Sequence, residues 1–537
     1  MDWKLIKDPI YGYVQINDDI RPIIDSPYFQ RLRNIRQTSY APLYPASVHN
    51  RFIHSIGVYH LGVIAYNSFR NEVMNHVNFT DNNLDWKDIG NVFLLACLLH
   101  DIGHAPFSHT GESFYLGVNE KLKESIHEKL MLAVDSKEFS KDSEYYLNGK
   151  TAAPHEIMSA LIGINQFGKY ITSDENKEFF ARCITGYAYQ KNETKIKQIK
   201  NCLISILNSS VIDVDRLDYV IRDSFMTGFQ NVSIDYVRLL NNITIVEDNG
   251  KLILAYKKSA MSIIENVIYA HDSERKWIQS HPVVLYEHFL VKYAINKVEN
   301  YYQHQNKSLF SYETLLIDGN SFEGGKTVRL LSDEDVLYSM KNVCYDNLIE
   351  EYFCRDNRRR PIWKSEAEYR LLFDNSIAKK KLDDFEFAFT KIEKYLIEEM
   401  SEPIINNNLI KKCEEEMNIL KSNKEILPKS AYDDRMSGLT NLLKWAKSIE
   451  KFCTQEGVNF DFVVITTNKF KSGFAKDEVD KIVISFPKIS KYAYIKDVLS
   501  LLDSENQRNS FLYLFHKDNK KRLDVEKFVN FLIKELF

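Results

Sequence analysis

This sequence lacks several features that would point to a membrane, a zinc ribbon or a nucleic-acid protein. No apolar run approaches the roughly 20 residues that a membrane-spanning helix needs, and the N-terminus lacks a charged-then-apolar signal. The seven cysteines are scattered without a CxxC pair, which favours a reducing compartment and excludes a cysteine-based structural zinc site. The net charge of -4 provides no global basic field for nucleic acid or anionic membrane, although local basic patches stay open. We therefore expect a cytoplasmic protein with no membrane association.

The composition is that of an ordinary folded protein, with 44% hydrophobic and 27% charged residues among 537. A chain of this length holds a large core and two or more domains. Helical patterns dominate up to about residue 455, after which β-rich segments and a last helix follow: 462–467, 481–486, 511–515 and 525–537. The sequence predicts a mainly α fold, with one domain over 1–375 and a C-terminal helical and α/β lobe over 376–537.

The stretch 92–99 organises the rest of the chain. Its eight consecutive apolar residues predict a helix that is buried on every side, and they are followed directly by His100 and Asp101. Burying an unpaired imidazole and carboxylate costs several kcal/mol, so this pair must be coordinated or hydrogen-bonded. We expect Gly103 to end the helix, which leaves the following histidines on a turn beside the pair.

Two more predicted helices carry candidate ligands. His54 shares an apolar helical face with Val58 and Leu61. The alternative to a ligand role is a core histidine whose hydrogen bonds are made within the protein. Further along, Asp215 and Asp223 lie on one polar helical face with a tyrosine between them. The alternative of an exposed, ion-paired helix conflicts with the many apolar residues of this segment, so we expect these aspartates to face a buried or wet cavity.

Two histidines and two aspartates from three helices make a nitrogen and oxygen ligand set: His54, His100, Asp101 and Asp215. This mixture suits a divalent ion such as Mn, Fe, Zn or Mg, and ligand type alone does not choose among them. Such an ion neutralises phosphate charge and lowers the pKa of a bound water. Four nearby residues are suited to proton transfer: His104, His109, Glu112 and His155. Arg51 and Arg216 are suited to binding phosphate oxygens.

Several motifs together resemble one enzyme family. They read Arg51-Phe-Ile-His54-Ser-Ile-Gly57, then His-Asp-x-Gly-His-x-Pro-Phe-Ser-His over 100–109, His-Glu at 155–156 and Asp-Val-Asp-x-x-Asp-Tyr-x-x-Arg-Asp over 213–223. With the opening segment and the α/β tail, they resemble the sterile-alpha-motif-and-HD-domain dNTP triphosphohydrolases and, more distantly, bacterial dGTPases. The resemblance covers nearly the whole chain, without the leading sterile-alpha-motif domain. It implies an HD-domain helical core.

The resemblance also implies roles for individual residues. The metal ligands would be the four named above, and phosphates would contact Arg51, Arg216 and His109. The proton-transfer group would be His104, Glu112 and His155. Sugar contacts would come from Gln37, Tyr219 and Asp223. Tyr286 matches the family's base-pocket tyrosine, but Ile278 and Gln279 stand where an arginine is expected, which leaves the base preference open.

A regulatory guanine-nucleotide pocket at a subunit interface is a further implication. It would use Lys4, Asp25, Gln30 and Arg33, with Arg360 and Lys364 contributed by another subunit. Asp25 has an alternative role as a helix cap before Ser26-Pro27. The implied protein is homo-oligomeric, a dimer or tetramer, and takes a divalent metal ion and a guanine-nucleotide activator.

The resemblance therefore implies a metal-dependent hydrolase that converts a dNTP and water to deoxynucleoside and triphosphate. One rival is an HD-type phosphodiesterase or nucleotidase, which the expected sugar contacts disfavour. The other is a nonenzymatic nucleotide sensor or nucleic-acid binder that uses the basic run 358–360, which a complete set of metal ligands disfavours.

Overall fold

The structure is a computed structural model. It describes residues 3–76, 84–115, 120–147, 151–209, 212–229, 233–302, 307–373, 403–422, 428–467, 470–475, 479–498, 507–508, 511–518 and 521–536. The part of the predicted helical stretch at 376–402 lies outside these residues. Among the described helices, none combines the length and apolar character that crossing a membrane requires.

Helices form most of the described chain, which confirms the predicted mainly α fold. In chain order they are α1 Arg21–Ile24, α2 Pro27–Gln30, α3 Arg51–His76, α4 Trp86–Leu99, α5 His109–Tyr115, α6 Glu120–Val134, α7 Lys137–Leu147, α8 Pro154–Phe167, α9 Asp174–Thr185, α10 Lys195–Leu207, α11 Val214–Thr227, α12 Tyr236–Leu240, α13 Met261–Glu274, α14 Pro282–Tyr302, α15 Asp333–Asn342, α16 Asn347–Phe353, α17 Glu366–Phe373, α18 Asn407–Ser422, α19 Lys429–Glu456, α20 Ile495–Val498 and α21 Val525–Leu536.

The strands are short and form small sheets. They are β1 Trp3–Asp8, β2 Gly12–Asn17, β3 Ile243–Asp248, β4 Lys251–Lys257, β5 Asn320–Ser321, β6 Thr327–Val328, β7 Arg360–Pro361, β8 Phe462–Thr466, β9 Phe470–Lys471, β10 Val483–Phe486, β11 Lys491–Tyr494, β12 Gln507–Arg508 and β13 Leu512–His516. Strands β1 and β2 make an antiparallel hairpin, and the larger sheets have the orders β11-β10-β4-β3 and β7-β13-β8.

The chain divides into two units that alternate along the sequence. The first comprises 1–275, 291–345 and 472–505, and the second comprises 276–290, 346–471 and 506–537. This division differs from the single boundary expected near residue 375. The reason is strand pairing over long sequence distances. Strand β10 pairs in parallel with β4 of the first unit, whereas β8 and β13 pair with each other within the second.

Helix α4 is the centre of the first unit, as its apolar run predicts. Its buried residues include Ile89 and nearly every position from Val92 to Leu99, and it packs against α3 and α9. Glycines allow the close approach to α3, because a Cβ at Gly62 would lie 2.8 Å from Cys97 Sγ. The helix ends at Leu99, so the His100–Asp101 pair begins the turn that follows it.

The turn after α4 is held in place by side chains from distant segments. Arg31 is buried and donates hydrogen bonds to the carbonyl oxygens of Ile102, His104 and Leu331. The backbone N–H of Phe107 donates to Asp333 Oδ1 over 2.6 Å. This fixation sustains left-handed φ angles of 58° and 54° at Phe107 and its neighbour Ser108, a conformation that such residues rarely adopt.

Gly103 lets this turn touch α8, which is a different role from the expected helix stop. A Cβ at Gly103 would lie 2.4 Å from the backbone nitrogen of Ser159, whose hydroxyl accepts a hydrogen bond from the Gly103 N–H. The neighbouring atoms belong to a helix backbone, so they cannot rotate away.

We therefore predict that Gly103→Ala lowers the stability of the protein by about 1–3 kcal/mol, the usual cost of overfilling a packed core. Thermal melting followed by circular dichroism measures the effect. Gly168→Ala is the matched control, because a Cβ there meets open space. Equal melting temperatures for the two variants would contradict this account of Gly103.

Candidate metal centre and active site

Three helical segments bring three expected ligands together. His54 lies on α3, His100 follows the end of α4, and Asp215 lies in the first turn of α11. Asp215 Oδ1 is 3.0 Å from His54 Nε2 and 3.5 Å from His100 Nε2, and the two nitrogens are 3.3 Å apart. Ligand atoms about 2.0–2.1 Å from one ion are separated by about 3.3 Å in tetrahedral geometry. The three side chains therefore fit a single divalent ion.

Asp101 completes the set through both of its oxygens. Oδ2 lies 3.5 Å from His54 Nε2, and Oδ1 lies 3.4 Å from His100 Nε2. Arg51 Nη1 donates to Oδ2 over 2.8 Å. Burial raises the pKa of the Asp101 carboxyl, but Arg51, His100 and His104 together outweigh burial and bring the pKa well below its usual range. Asp101 is therefore an anion, as a metal ligand must be.

A carboxylate that the sequence analysis missed lies behind His54. Asp218 Oδ2 is 2.7 Å from His54 Nδ1, and both side chains are fully buried. Burial raises the pKa of Asp218, but Arg222 and the bond to His54 outweigh it and bring the pKa to about 2. An ionised carboxylate only accepts hydrogen bonds, so Nδ1 carries a proton, and Nε2 is the nitrogen that would bind a metal ion.

A second cluster surrounds one oxygen of Glu112. The Nδ1 atoms of His104, His109 and His155 lie 3.1, 2.7 and 3.0 Å from Glu112 Oε1. His104 also joins the two clusters, since its Nε2 lies 3.0 Å from Asp101 Oδ1. The structure thus brings all four expected proton-transfer residues to one place beside the candidate ligands.

The charges of this second cluster are distributed unequally. Burial raises the pKa of Glu112, but His155 and His109 outweigh it and hold the pKa far below its usual range. Burial lowers the pKa of His155, but Glu112 outweighs it and raises the pKa to about 9. His155 is therefore protonated at neutral pH, whereas His104 has its pKa lowered to about 4, chiefly by burial.

The expected sugar-binding residues lie in the same unit. Asp223 is buried, and its Oδ1 lies 2.6 Å from Nε2 of His49, a residue that the sequence analysis did not select. The Gln37 amide oxygen is buried and has no hydrogen-bond partner within the described part of the chain. Tyr219 is half-buried, and its hydroxyl accepts a hydrogen bond from Arg216 Nε over 3.2 Å.

Tyr286 belongs to the second unit and is buried in its core. It is 1% exposed, its hydroxyl donates to Glu351 Oε2 over 2.7 Å, and its ring stacks on Phe515 with centroids 4.5 Å apart. These contacts occupy the ring, so its surroundings give no support to a role in base binding.

The expected regulatory residues of the first unit lie in two contacting pairs. Lys4 Nζ is 3.7 Å from Asp25 Oδ1, and Arg33 Nε donates to Gln30 Oε1 over 2.8 Å. Asp25 is not the N-cap of α2, because Ser26 holds that position and accepts the N–H of Phe29, but Asp25 ends α1 as its C-cap residue. The Asp25 side chain stays 48% exposed, as a ligand-binding acid would be.

The basic run 358–360 in the second unit is not a solvated patch. Arg358 lies 2.8 Å from Glu287, and Arg359 pairs with Glu351 and with Asp461. Of the three arginines only Arg360 is exposed, and Lys364 is exposed further along the chain. The two neutralised arginines disfavour a nucleic-acid binder that relies on this run.

The sequence is similar to one family model and to several known proteins. A family model described as HD domain matches residues 51–198. The deoxynucleoside triphosphate triphosphohydrolase SAMHD1 of Homo sapiens is 25% identical over 382 residues, covering 69% of this chain and 54% of its own length. The SAMHD1 homolog of Dictyostelium discoideum is 27% identical over 305 residues, covering 56% and 50%. The chain thus spans about half the length of these curated relatives.

A solved structure supports the fold over the whole chain. The crystal structure of a hypothetical protein from Aquifex aeolicus has a TM-score of 0.54 and 18% identity, and the match covers 99% of this chain and 100% of that one. At this identity the likeness concerns the fold alone. Residues 51–198, which match the HD domain model, contain the His100–Asp101 pair together with His54 and the four residues of the second cluster.

Proposed function

We propose that this protein is a metal-dependent dNTP triphosphohydrolase that releases deoxynucleoside and intact triphosphate. The observation that carries the proposal is the convergence of His54, His100 and Asp215 from three segments, at 3.0 to 3.5 Å from one another. The proton-transfer cluster lies directly beside them. The similarity to relatives named as deoxynucleoside triphosphate triphosphohydrolases supports the substrate class.

A divalent ion bound by these ligands supplies positive charge to phosphate oxygens and lowers the pKa of water. The protein supplies the rest. Arg51 holds the ligand Asp101 through Nη1 and Ser108 through Nε, and Nη2 is the atom that we propose for a phosphate oxygen. His109 is 68% exposed and, with Arg216, orients the triphosphate chain.

His155 is the acid for the departing 5′ oxygen. It is protonated at neutral pH because Glu112 stabilises its charge in a buried place. Glu112 and His104 fix its position. Glu112 Oε1 lies 3.0 Å from His155 Nδ1, and the His104 and His155 rings stack with centroids 4.0 Å apart. After His155 has given up its proton, the negative charge of Glu112 favours the return of a proton to His155.

The deoxyribose lies against Tyr219, with its 3′-hydroxyl on Gln37 and Asp223. The buried amide oxygen of Gln37 gains a donor there. Asp223, whose pKa burial raises to about 7, is oriented by His49. A 2′-hydroxyl would meet the ring face of Tyr219 without a partner, which disfavours ribonucleotides.

The first test concerns the ligands. His100→Ala and Asp215→Ala are each expected to lose bound metal and hydrolysis together, because no neighbour replaces the lost ligand atom. Metal analysis after purification and a dNTP hydrolysis assay measure the two effects. His127→Ala, on α6, is the matched control and should retain both. Full metal occupancy with undiminished turnover in either ligand variant would disprove the assignment.

The second test concerns the products. Chromatography of reactions with each dNTP should show deoxynucleoside and triphosphate in equal amounts, because attack occurs at the α-phosphorus. ATP should react much more slowly than dATP. Stepwise release of orthophosphate or pyrophosphate would instead support a nucleotidase, and equal rates on ATP and dATP would contradict the role of Tyr219.

Guanine-nucleotide activation of a homo-oligomer is the third part of the proposal. Asp25 accepts from both N1 and N2 of guanine, whereas adenine would place an acceptor against the carboxylate. Losing such a bond beside a charge costs roughly 1.5–3 kcal/mol, which is about tenfold to a hundredfold in affinity. Lys4 and Arg33 neutralise the triphosphate with Arg360 and Lys364 of another copy, so ligand binding and assembly are linked.

We expect Asp25→Ala to abolish activation by GTP or dGTP while the metal content and the melting temperature of the ligand-free protein stay close to wild type. Hydrolysis assays with and without each nucleotide, together with sedimentation, measure activation and assembly. Asp19→Ala is the control, since Asp19 is an exposed acid near the same hairpin. If wild-type activity and sedimentation ignore every nucleotide, this part of the proposal is wrong.

A further inference from the structure

The turn of the N-terminal hairpin touches the residues that orient His54. Tyr11 lies between β1 and β2, and its hydroxyl donates to Asp218 Oδ1 over 2.8 Å. Asp8 ends β1, and its Oδ2 accepts from Arg222 Nη1 over 3.0 Å. All four side chains are buried. We propose that this hairpin is part of the outer support of the metal centre, with Asp8 and Tyr11 as positioning residues that act through Asp218 and Arg222 on His54.

The proposal begins from the hydrogen bonds of Asp218, which use its whole acceptor capacity. Oδ2 accepts from His54 Nδ1 and from Arg222 Nε, at 2.7 and 2.9 Å. Oδ1 accepts from Arg222 Nη2 and from the Tyr11 hydroxyl, at 2.9 and 2.8 Å. A carboxylate has about four lone-pair positions, so each donor fixes one direction. With these four donors in place, the carboxylate cannot rotate away from His54.

Asp8 ties the same network to the backbone of the hairpin. Its Oδ1 accepts the N–H groups of Ile10 and Tyr11, over 2.8 and 3.0 Å, which shapes the turn between β1 and β2. Its other oxygen accepts from Arg222. One aspartate thus sets both the position of the Tyr11 ring and the direction of the guanidinium that clamps Asp218.

The approach of α3 to this network depends on Gly57. A Cβ there would lie 1.9 Å from Asp218 Oδ1 and 2.5 Å from Arg222 Nη2. Gly57 stands three residues after His54 and therefore on the same helical face. The helix that carries the ligand thus rests directly on the Asp218–Arg222 ion pair, without an intervening side chain that would absorb small displacements.

Docking of the hairpin through a buried ion pair is the alternative explanation of these contacts, and it makes a different prediction. If the network only attached the hairpin, its loss would lower stability and leave the affinity for metal unchanged. If it orients His54, its loss would weaken metal binding, because mutation of groups that orient a metal-ligating histidine typically costs 10- to 100-fold in affinity. The inference rests on the metal centre of the proposed function.

The experiment uses Mn²⁺ added to the metal-free protein of 537 residues, and the free ion is counted by electron paramagnetic resonance. Asp218→Asn should bind Mn²⁺ about 10- to 100-fold more weakly than wild type. Tyr11→Phe removes one hydroxyl and should weaken binding roughly 3- to 10-fold, as the loss of a single hydrogen bond does. Asp8→Asn should weaken it as well. Tyr13→Phe is the matched control, because Tyr13 is 63% exposed on the same hairpin, and it should bind as wild type does.

Melting temperatures of the metal-free variants are recorded in parallel. Tyr11→Phe with a lower melting temperature and an unchanged Mn²⁺ affinity would overturn the inference, as would unchanged affinity in Asp218→Asn. If Asp218→Asn fails to fold, Tyr11→Phe still decides. Failure of the wild type to bind Mn²⁺, Fe²⁺ or Zn²⁺ would instead overturn the proposed metal centre itself, so the two failures are distinguishable.

Discussion

Pairing of buried charges is the constraint on which this structure depends. Asp101 and Asp218 are buried, and an unpaired ionised group there would cost several kcal/mol. Arg51 compensates the first and Arg222 the second. Arg51 reaches Asp101 only if α3 and the turn after α4 are packed as they are. Arg222 and Asp218 pair within α11, and their contact with His54 depends on the packing of α11 against α3. Apolar packing and charge pairing are therefore mutually dependent, and the ligand geometry follows from both.

The sequence predicted those parts of the site that local patterns encode. An apolar run that predicts a buried helix conflicts with the two ionisable residues that follow it, His100 and Asp101. Such conflicts are expected at functional sites. Asp218 was missed because its role depends on a neighbouring helix: it lies off the face shared by Asp215 and Asp223 and points between α11 and α3. One signal was present, since Gly57 inside a predicted helix indicates a close approach by another group.

Other parts of the fold were not predictable from local sequence. Strand β10 resembles its neighbouring strands in composition, yet it pairs with β4, which lies more than 200 residues earlier in the chain. Its β-rich composition predicts a strand but does not select a partner, because pairing is decided by the assembled core. The environment of the basic run 358–360 is likewise decided by distant segments. Three adjacent arginines suggest a solvated patch, but acids from other segments neutralise two of them.

The N-terminal hairpin shows how an exposed element acquires a role in a buried site. Its strands display Trp3, Leu5 and Tyr13 to solvent, which is typical of a peripheral element. Its turn, in contrast, supplies a buried acid and a buried hydroxyl to the Arg222–Asp218 pair. Removing one partner of a buried ion pair costs about 3–5 kcal/mol, far more than an exposed pair contributes. Strand β1 also carries Lys4, which contacts Asp25 at the surface. A displacement of this strand would therefore move Asp8 and, through Arg222, the Asp218 carboxylate that orients His54.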